Sequence, residues 1–152
     1  MPRAMPLKER MLKMKIKAVI DPGAILPTRA HKDDAGLDLY ATEDAIIFRD
    51  GSYTFDTGVH VAIPEGYVGF LKSKSGLNIN NGLQSAGVID CGYTGSIRVK
   101  LYNHSHKMVR IKRGQKISQL VILPIITPEL EIVDELEDTE RGDGGFGSSG
   151  AF

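Results

Sequence analysis

Short stretches in which apolar and polar residues alternate run through most of the chain. The clearest is 96–101, where Ile97, Val99 and Leu101 alternate with polar neighbours, and 59–63 alternates in the same way. Alternation with a period of two indicates a strand with one buried face. Further strands are predicted at 14–20, 44–48, 67–71, 116–123 and 130–133.

Turn-forming residues separate these stretches, because 17 glycines and seven prolines are distributed along the chain. No long segment shows helical periodicity, and one short helix is predicted to begin after Ser75 and to run through Asn80. Many short strands with frequent turn signals favour an all-β fold, a barrel or sandwich, over a parallel α/β fold.

The two ends differ in composition from the body, 14–136, which is predicted to be one β domain. Residues 1–13 are rich in methionine and basic residues and lack an apolar signal core, so we expect a frayed extension. Residues 137–152 form a glycine-rich tail that buries too little surface to offset its chain entropy, so we expect it to be flexible. Arg141, Phe146, Ser148 and Ser149 nevertheless supply a guanidinium, an aromatic face and two hydroxyls, which suit a phosphate chain attached to a flat base.

Composition narrows the class of protein. The 152 residues fit one domain, and 19 basic residues balance 19 acidic ones, which gives no support for binding nucleic acid or an anionic membrane. No apolar run approaches membrane-spanning length. The single cysteine, Cys91, excludes an internal disulfide, and we expect a soluble cytoplasmic protein.

Two segments in the first half of the chain carry candidate chemistry. Asp38 lies between Leu37 and Leu39 where a strand should begin, and it is either a turn or capping aspartate or a carboxylate held near a magnesium ion. The run Ser73-Lys74-Ser75-Gly76 places a cation, hydroxyls and a glycine where a helix is predicted to start. Backbone N–H groups at a helix start bind anions, while capping by Ser75 is the structural alternative.

Two later segments also combine polar and apolar residues. Asp90 follows Val88 and Ile89 and precedes Tyr93, which resembles a β-hairpin arm with an acid near its turn. A carboxylate beside apolar residues can act as a general base, although an ordinary turn aspartate fits equally well. Gln119 lies within an apolar strand and either connects the core or faces a ligand.

Five segments in this order resemble the five motifs of the trimeric dUTPase family, over roughly residue 14 to the end. They are Ala35-Gly-Leu-Asp38-Leu, Ser73-Lys-Ser-Gly76, Gly87-Val-Ile-Asp90-x-x-Tyr93, Gly114-x-x-Ile117-x-Gln119-Leu and Arg141-Gly-x-Gly-Gly-Phe146-Gly-Ser-Ser-Gly150. The resemblance implies a jelly-roll-like β fold, a homotrimer with active sites shared between subunits, and magnesium-dependent hydrolysis of dUTP to dUMP and pyrophosphate. Such an enzyme limits uracil in DNA and supplies dUMP for thymidylate synthesis.

The resemblance also implies a role for each matched residue. Asp90 activates the water that attacks the α-phosphorus, Tyr93 stacks beneath the deoxyribose, and Asp38 reaches magnesium through a coordinated water. Uracil pairs with backbone groups of the hairpin between Gly82 and Arg98. The residues implied in substrate binding are Lys74, Ser75, Gly76, Gln84, Gly87, Val88, Ile89, Tyr93, Arg98, Gln119, Arg141, Phe146, Gly147, Ser148 and Ser149. One departure stands out, since Lys74 occupies a position that is usually arginine in the family.

Two alternatives remain open at this point. A dCTP deaminase has the same fold, but it needs a glutamate near the aspartate, and no glutamate lies between Glu65 and Glu129. A dUTP-sensing regulatory protein of the phage type is the second alternative. The presence of Asp90, Tyr93, Arg141 and Phe146 together favours an active enzyme over this sensor.

Overall fold

Antiparallel strands make up nearly all the regular structure. The computed structural model describes Pro6 and residues 14–150. Its strands are β1 (Lys17–Ile20), β2 (Gly36–Tyr40), β3 (Ala45–Ile47), β4 (Ser52–Asp56), β5 (Val59–Ala62), β6 (Tyr67–Ser73), β7 (Leu83–Gln84), β8 (Ala86–Ile89), β9 (Arg98–Asn103), β10 (Val109–Ile111) and β11 (Lys116–Pro124), and its helix is α1 (Ser75–Asn81). The all-β prediction with one short helix is confirmed, and the architecture is a jelly-roll-like sandwich.

Two sheets supply the main layers. One has the strand order β2-β11-β6-β8 and the other has the order β4-β9-β7, while β1 pairs with β5 and β10 with β3. Every pairing is antiparallel. Strand β9 shows why the alternation folds this way, because Val99, Leu101 and Asn103 are buried while the residues between them are exposed. Phe55, Leu39, Ile97 and Ile117 join them in the core between the layers.

Most predicted strands are confirmed, but the strand predicted at 130–133 is wrong. Residues 125–138 contain no strand, and Leu130 and Ile132 are 90% and 89% exposed. A strand is stable only when its backbone groups pair with a neighbouring edge. No other described segment of this chain pairs with 130–133, so its alternating apolar residues stay in solvent.

The hairpin predicted after Gly87 is also wrong. Strand β8 pairs with β6, whereas β9 pairs with β4 and β7, so the two strands belong to different sheets. The turn that begins at Asp90 therefore carries the chain from one layer of the sandwich to the other. Three further strands, β4, β7 and β10, were not predicted because each is short or lacks clean alternation.

Parts of both predicted ends lie outside the described residues. The predicted extension 1–13 lies outside the described residues apart from Pro6, and residues 151–152 also lie outside them. Residues 137–150 contain turns and bends but no helix or strand.

Candidate active site

An aspartate between two lysines forms the first cluster of polar residues. Asp38 on β2 has a side chain only 5% exposed, and its two carboxylate oxygens lie 2.5 Å from Lys74 Nζ and 2.7 Å from Lys116 Nζ. Lys116 begins β11, the strand that pairs with β2, and Lys74 follows the end of β6 on the other side of β11. Three neighbouring strands therefore bring one anion and two cations together, which leaves the cluster with a net positive charge.

The two lysines control the ionisation of Asp38. Burial by itself raises the pKa of this carboxyl, but hydrogen bonds and charge from Lys116 and Lys74 outweigh burial and hold the pKa below its ordinary value of 3.8. The hydrogen bond to Asp38 in turn raises the pKa of Lys116. Both shifts favour the charged forms of Asp38 and Lys116.

Replacing Asp38 with asparagine should lower the free energy of unfolding by about 1–3 kcal/mol, because two partly buried ammonium groups lose their counterion. The folded-state pKa is depressed, so this stabilisation is fully present above the ordinary value of 3.8 and is lost as pH falls through the lower folded-state value. Urea unfolding at pH 7 and at a series of acidic pH values measures both effects. An Asp38→Asn variant as stable as the wild type at pH 7 would show that the ion pairs contribute nothing.

The start of helix α1 lies beside this cluster. Lys74 is the N-cap residue, with no side-chain cap hydrogen bond, so capping by Ser75 is not observed. The first N–H groups of a helix have no partner within the helix. Ser75 and Gly76 therefore present backbone donors directly after Lys74 in the chain, an arrangement that suits an anion.

Gln119 connects the same three strands. It is paired in register with Asp38 on β2 and Lys72 on β6, and its Nε2 donates a hydrogen bond to the carbonyl oxygen of Ser73 at 3.0 Å. Gly36 makes room for it, since a Cβ at that position would lie 2.5 Å from the Gln119 side-chain oxygen. Gln119 thus fixes the end of β6 that leads into Lys74.

Two buried serines support this end of the sheet. The hydroxyls of Ser85 and Ser118 lie 2.8 Å apart, Ser118 donates to the carbonyl of Lys72, and the Ser85 N–H donates to the Ser73 hydroxyl. Both serines are buried, since Ser85 is 3% exposed and Ser118 is 0% exposed. These bonds join β6, β11 and the segment that enters β8, so they hold the start of α1 in place.

A second group of residues surrounds the turn after β8. Val88, Ile89, Asp90, Tyr93 and Arg98 line a cleft of about 250 Å³. The Tyr93 N–H donates to the Asp90 carbonyl at 3.3 Å, and Gly92 in between has a φ of 83°, which glycine tolerates without strain. The Tyr93 hydroxyl donates to the Ser96 carbonyl, and a Cβ at Gly95 would lie 2.5 Å from the hydroxyl oxygen. The Tyr93 ring therefore packs against Gly95.

Strand β8 forms the wall of this cleft and ends its sheet. It pairs with β6 on one side, and among the described residues no strand pairs with its other side. Alternate backbone N–H and C=O groups of Ala86–Ile89 are therefore free to bind a ligand. Gly87 packs closely on Leu71, 3.0 Å from where its Cβ would be, so a larger residue there would displace the strand.

Gln84 lies apart from the two groups. It is on β7, in the other sheet, and its side-chain oxygen lies 3.0 Å from His104 Nε2.

The two groups occupy opposite ends of strand β6. Ile89 pairs with Gly69 near the start of β6, whereas Lys74 directly follows its last residue, Ser73. Gly69 and Lys74 are five residues apart, which corresponds to about 17 Å of extended chain. Within one chain, the structure brings together Asp38, Lys74, Ser75, Gly76 and Gln119, and separately Asp90, Tyr93 and Arg98, but it does not join the two sets.

The tail residues contact neither group through hydrogen bonds. The hydrogen bonds described for 137–150 are local, such as that from Arg141 Nε to the Gly144 carbonyl at 2.8 Å. Phe146 is fully exposed with a φ of 50°, and Gly147, Ser148 and Ser149 are exposed as well. Within a single chain the tail is separate from the candidate site.

Sequence reasoning missed several residues that shape the site. Lys116 falls at an unmatched position of the fourth motif, and nothing local marks it as the second partner of Asp38. Ser85 and Ser118 give no local signal, because serine is common in turns and strands alike. Their roles come from register across β2, β11 and β6.

A magnesium ion fits this site only through its substrate. Within residues 14–150, no three His, Cys, Asp or Glu side chains lie close enough together to hold a metal ion. The two Asp38 oxygens each bind an ammonium group, although a carboxylate oxygen has a second lone pair that can accept from a metal-bound water. Magnesium commonly keeps several waters and binds through substrate phosphates, so one water-mediated contact is consistent with its chemistry.

The fold places the chain among the jelly-roll β proteins, and the cationic cluster beside an open helix start suits a phosphorylated ligand. The chain belongs to the dUTPase family, whose family model matches residues 23–150. None of the described residues forms a helix that is long and apolar enough to cross a membrane.

Similar proteins come from distant organisms. A deoxyuridine 5'-triphosphate nucleotidohydrolase of Clostridium tetani is 40% identical over 95% of this chain and 99% of its own length. The protein of the same description from Yarrowia lipolytica is 42% identical over 88% of this chain and 87% of its own. These relatives are described as dUTP-hydrolysing enzymes, which favours that class over a dCTP deaminase.

Solved structures show the same fold. The dUTPase of Staphylococcus bacteriophage 80alpha with bound dUpNHpp is 35% identical, has a TM-score of 0.83, and the alignment covers 90% of this chain and 98% of that one. A variant dUTPase of phage phi11, described with a structural Mg(II) ion, is 31% identical with a TM-score of 0.76, over 82% of this chain and 100% of that one. The phage 80alpha dUTPase is also described as controlling the transfer of virulence genes.

Proposed function

We propose that this protein hydrolyses dUTP to dUMP and pyrophosphate in the presence of magnesium. The observation that carries the proposal is the cleft where the Asp90 carboxylate, the Tyr93 ring and the free edge of β8 meet. Membership of the dUTPase family and the ligand-bound relatives support it. The reaction removes dUTP from the pool for DNA synthesis. Its product, dUMP, is then available for thymidylate synthesis.

Asp90 acts as the general base in this proposal. Its exposed carboxylate accepts a hydrogen bond from a water and takes its proton as the oxygen attacks the α-phosphorus. The bond from the α-phosphorus to the bridging oxygen breaks, and pyrophosphate leaves. General-base catalysis requires the carboxylate within one hydrogen bond of that water, so the turn at Asp90–Tyr93 sets the geometry.

Strand β8 selects the base. Uracil presents a carbonyl–imide–carbonyl edge, which backbone groups of Gly87, Val88 and Ile89 can match in place of a neighbouring strand. Cytosine exchanges a donor for an acceptor and is refused, because a mismatched edge leaves buried polar groups unpaired. The Tyr93 ring lies beneath the deoxyribose and leaves no room for a 2′-hydroxyl, while Arg98, which lines the same cleft, contributes a polar contact.

The cationic cluster holds the phosphates. Lys74 supplies charge, Ser75 and Gly76 supply N–H donors, and Gln119 supplies an amide. Magnesium bound to the triphosphate would neutralise part of its charge, and Asp38 would hold it through a coordinated water. Because Asp38 is shared by two lysines, it keeps both ammonium groups oriented even when the ligand is absent.

The separation of the two groups along β6 supports an active site shared between copies in a homotrimer. A carboxylate at one end of a strand and a phosphate cluster about 17 Å further along it do not surround one α-phosphorus. A second copy brings its own cluster to the Asp90 cleft of the first. The exposed tail of a further copy then closes the site, with Phe146 over uracil and Arg141, Gly147, Ser148 and Ser149 on the outer phosphates.

A direct assay tests the proposed function. Incubation with magnesium and dUTP, dCTP, dTTP or UTP in turn should release pyrophosphate from dUTP alone. Ammonia release from dCTP would indicate a deaminase instead. Binding of dUTP with no pyrophosphate release would indicate a sensor, the class suggested by the description of the phage relative.

Replacing Lys74 with arginine should hold or raise kcat, by up to about tenfold, because a guanidinium keeps the charge and adds a planar fork of donors. Steady-state kinetics with dUTP measures this change. Lys100→Arg is the matched control, since Lys100 lies over the Tyr102 ring at 5.1 Å on the other sheet and should leave kcat unchanged. A large loss of kcat in Lys74→Arg alone would contradict the phosphate role of Lys74.

A further inference from the structure

The imidazole of His60 connects the turn that carries Asp90 and Tyr93 to another part of the fold. His60 lies on β5, its Nδ1 is 2.7 Å from the Thr94 carbonyl oxygen, and its Nε2 is 3.1 Å from Asp21 Oδ2. Thr94 is the residue after Tyr93, in the segment between β8 and β9 that has no regular structure. One side chain thus connects this segment to Asp21, at the end of β1.

Both partners of the ring accept hydrogen bonds, which sets its protonation state. A carbonyl oxygen and a carboxylate oxygen can only accept, so both ring nitrogens must donate, and only the imidazolium has two N–H groups. The hydrogen bonds that the ring donates to the Thr94 carbonyl and to Asp21, together with the charges of Asp21 and Asp56, raise the pKa of His60 above its ordinary value of 6.5, against the opposing effect of burial.

Other charged groups lie near the His60 ring, but none of them is described as bonding to the Thr94 carbonyl. Asp56, at the end of β4, pairs with Arg98 at 3.8 Å, which offsets part of its charge. Lys17, on β1, lines the same cleft as His60 and Asp21. The His60 side chain is 27% exposed, so water reaches the ring and the proton can exchange with solvent.

Within the turn itself, the Tyr93 N–H donates to the Asp90 carbonyl and the Tyr93 hydroxyl to the Ser96 carbonyl, while the remaining hydrogen bonds in this region hold residues further along the chain. Ser96 donates to Asp56 and accepts from the Gly58 N–H at 3.0 Å, and Thr57 donates to the Ile97 carbonyl at 2.7 Å. They fix the chain as it enters β9. The stretch Asp90–Thr94 is held by β8 at one end, and the His60 bond holds the carbonyl at the other.

We propose that His60 is a positioning residue for the reaction, which in its imidazolium form clamps the Thr94 carbonyl and so places Asp90 and Tyr93 against the nucleotide. This inference rests on the proposed dUTP hydrolysis. His60 touches no reacting atom and acts through the turn. Displacement of a catalytic group by about 1 Å costs on the order of 10²-fold in rate, so a loosened turn lowers kcat.

The clamp depends on pH in a defined direction. The imidazolium form is fully populated at acidic pH. It is lost as pH rises through the pKa of His60, which lies above 6.5. The neutral ring can no longer donate to both oxygens, and one nitrogen lone pair then faces an acceptor. We therefore expect kcat to fall on the alkaline side as His60 loses its proton.

The test combines an NMR titration of the histidine rings with kcat against pH for the wild type, His60→Gln, His60→Ala and Asp21→Asn. We expect a His60 pKa above 6.5 that coincides with the alkaline fall in kcat. Glutamine keeps a donor for Thr94 without titrating, so His60→Gln should keep kcat within about threefold and lose the alkaline fall. His60→Ala should lose about 10- to 100-fold in kcat below the pKa of His60, and it should show no alkaline fall because it has no ring to titrate.

Asp21→Asn gives an independent outcome. The substitution removes the negative charge that favours the imidazolium, and the new amide can donate a hydrogen bond to the neutral ring. The His60 pKa and the alkaline fall should both move to lower pH in this variant. His106→Gln, a change at another exposed histidine, should leave the profile unchanged.

A His60 pKa at or below 6.5, or an alkaline fall that persists in His60→Gln, would overturn the proposal. A folded His60→Ala variant with wild-type kcat would do the same. If the wild type released no pyrophosphate, the proposed function would fail instead, and the NMR titration of the wild type and Asp21→Asn would still decide whether the clamp exists.

Discussion

Replacing Asp90 with asparagine should give a folded protein that binds dUTP but hydrolyses it about 10²–10⁴-fold more slowly, the range expected for loss of a general base. Asparagine has the same shape, so the turn to Tyr93 and the cleft with Arg98 should survive. Pyrophosphate release measures kcat, and a calorimetric titration with a non-hydrolysable dUTP analogue measures binding.

Asp50→Asn is the matched control for this experiment. Asp50 lies in the turn before β4 with a φ of 57°, a conformation that asparagine tolerates, and the change removes the same charge from an exposed position. Its kcat should equal that of the wild type. An Asp90→Asn variant with full activity would show that another group activates the water, and one that fails to bind the analogue would assign Asp90 to binding.

Deleting residues 141–152 should abolish turnover, by at least about 10²-fold, while the β domain stays folded. The described part of this segment makes only local hydrogen bonds, and Phe146 is fully exposed, so little buried surface is lost. The free energy of unfolding should change by less than about 0.5 kcal/mol. Urea unfolding and pyrophosphate release on the same preparation measure the two quantities.

A single substitution tests whether the aromatic ring of the tail, and not only the tail as a whole, contributes to closing the site. Phe146→Ala removes the aromatic face while leaving Arg141 and both serines in place, so it should raise KM for dUTP with a smaller loss of kcat than the deletion causes. A truncated protein that keeps wild-type turnover would refute the lid role. A truncated protein that no longer folds would show that the tail belongs to the β domain.

Mixing the two variants tests whether sites are shared between copies. If Asp90 and the tail of one site come from different chains, assemblies of Asp90→Asn protein with truncated protein should contain some complete sites and recover part of the activity. Each chain in the mixture would supply what the other lacks. No recovery after denaturation and refolding together would indicate that each chain completes its own site.

Local patterns in the chain were enough to predict the fold class and the position of the helix. The alternation in 59–63 and 96–101 predicts β5 and β9, because a strand at a sandwich surface buries every second residue. The run Ser73–Gly76 predicts the start of α1 for a similar reason, since turn and capping residues act on the nearest few peptide groups.

The predictions were wrong where the structure of a segment depends on which other strand it pairs with. The strand at 130–133 has the alternation of a strand but no edge to pair with in the described chain. The hairpin after Gly87 was inferred from two strands near a turn, but pairing is decided by which edge is free, and β8 pairs with β6. Periodicity reports which face of a strand is apolar and carries no information about its neighbour.

The sequence alone determined an all-β protein with one short helix, and its five motifs, taken together, indicated the family and nominated Asp90, Lys74 and Gln119. Only the tertiary structure showed that Asp38 lies between Lys74 and Lys116, that His60 reaches Thr94, and that the two groups of site residues lie at opposite ends of β6. The physical reason is range. Residue propensity and periodicity act over a few neighbours, whereas charge pairs and hydrogen bonds across β2, β11 and β6 depend on a register that joins residues 36 to 85 positions apart in the chain.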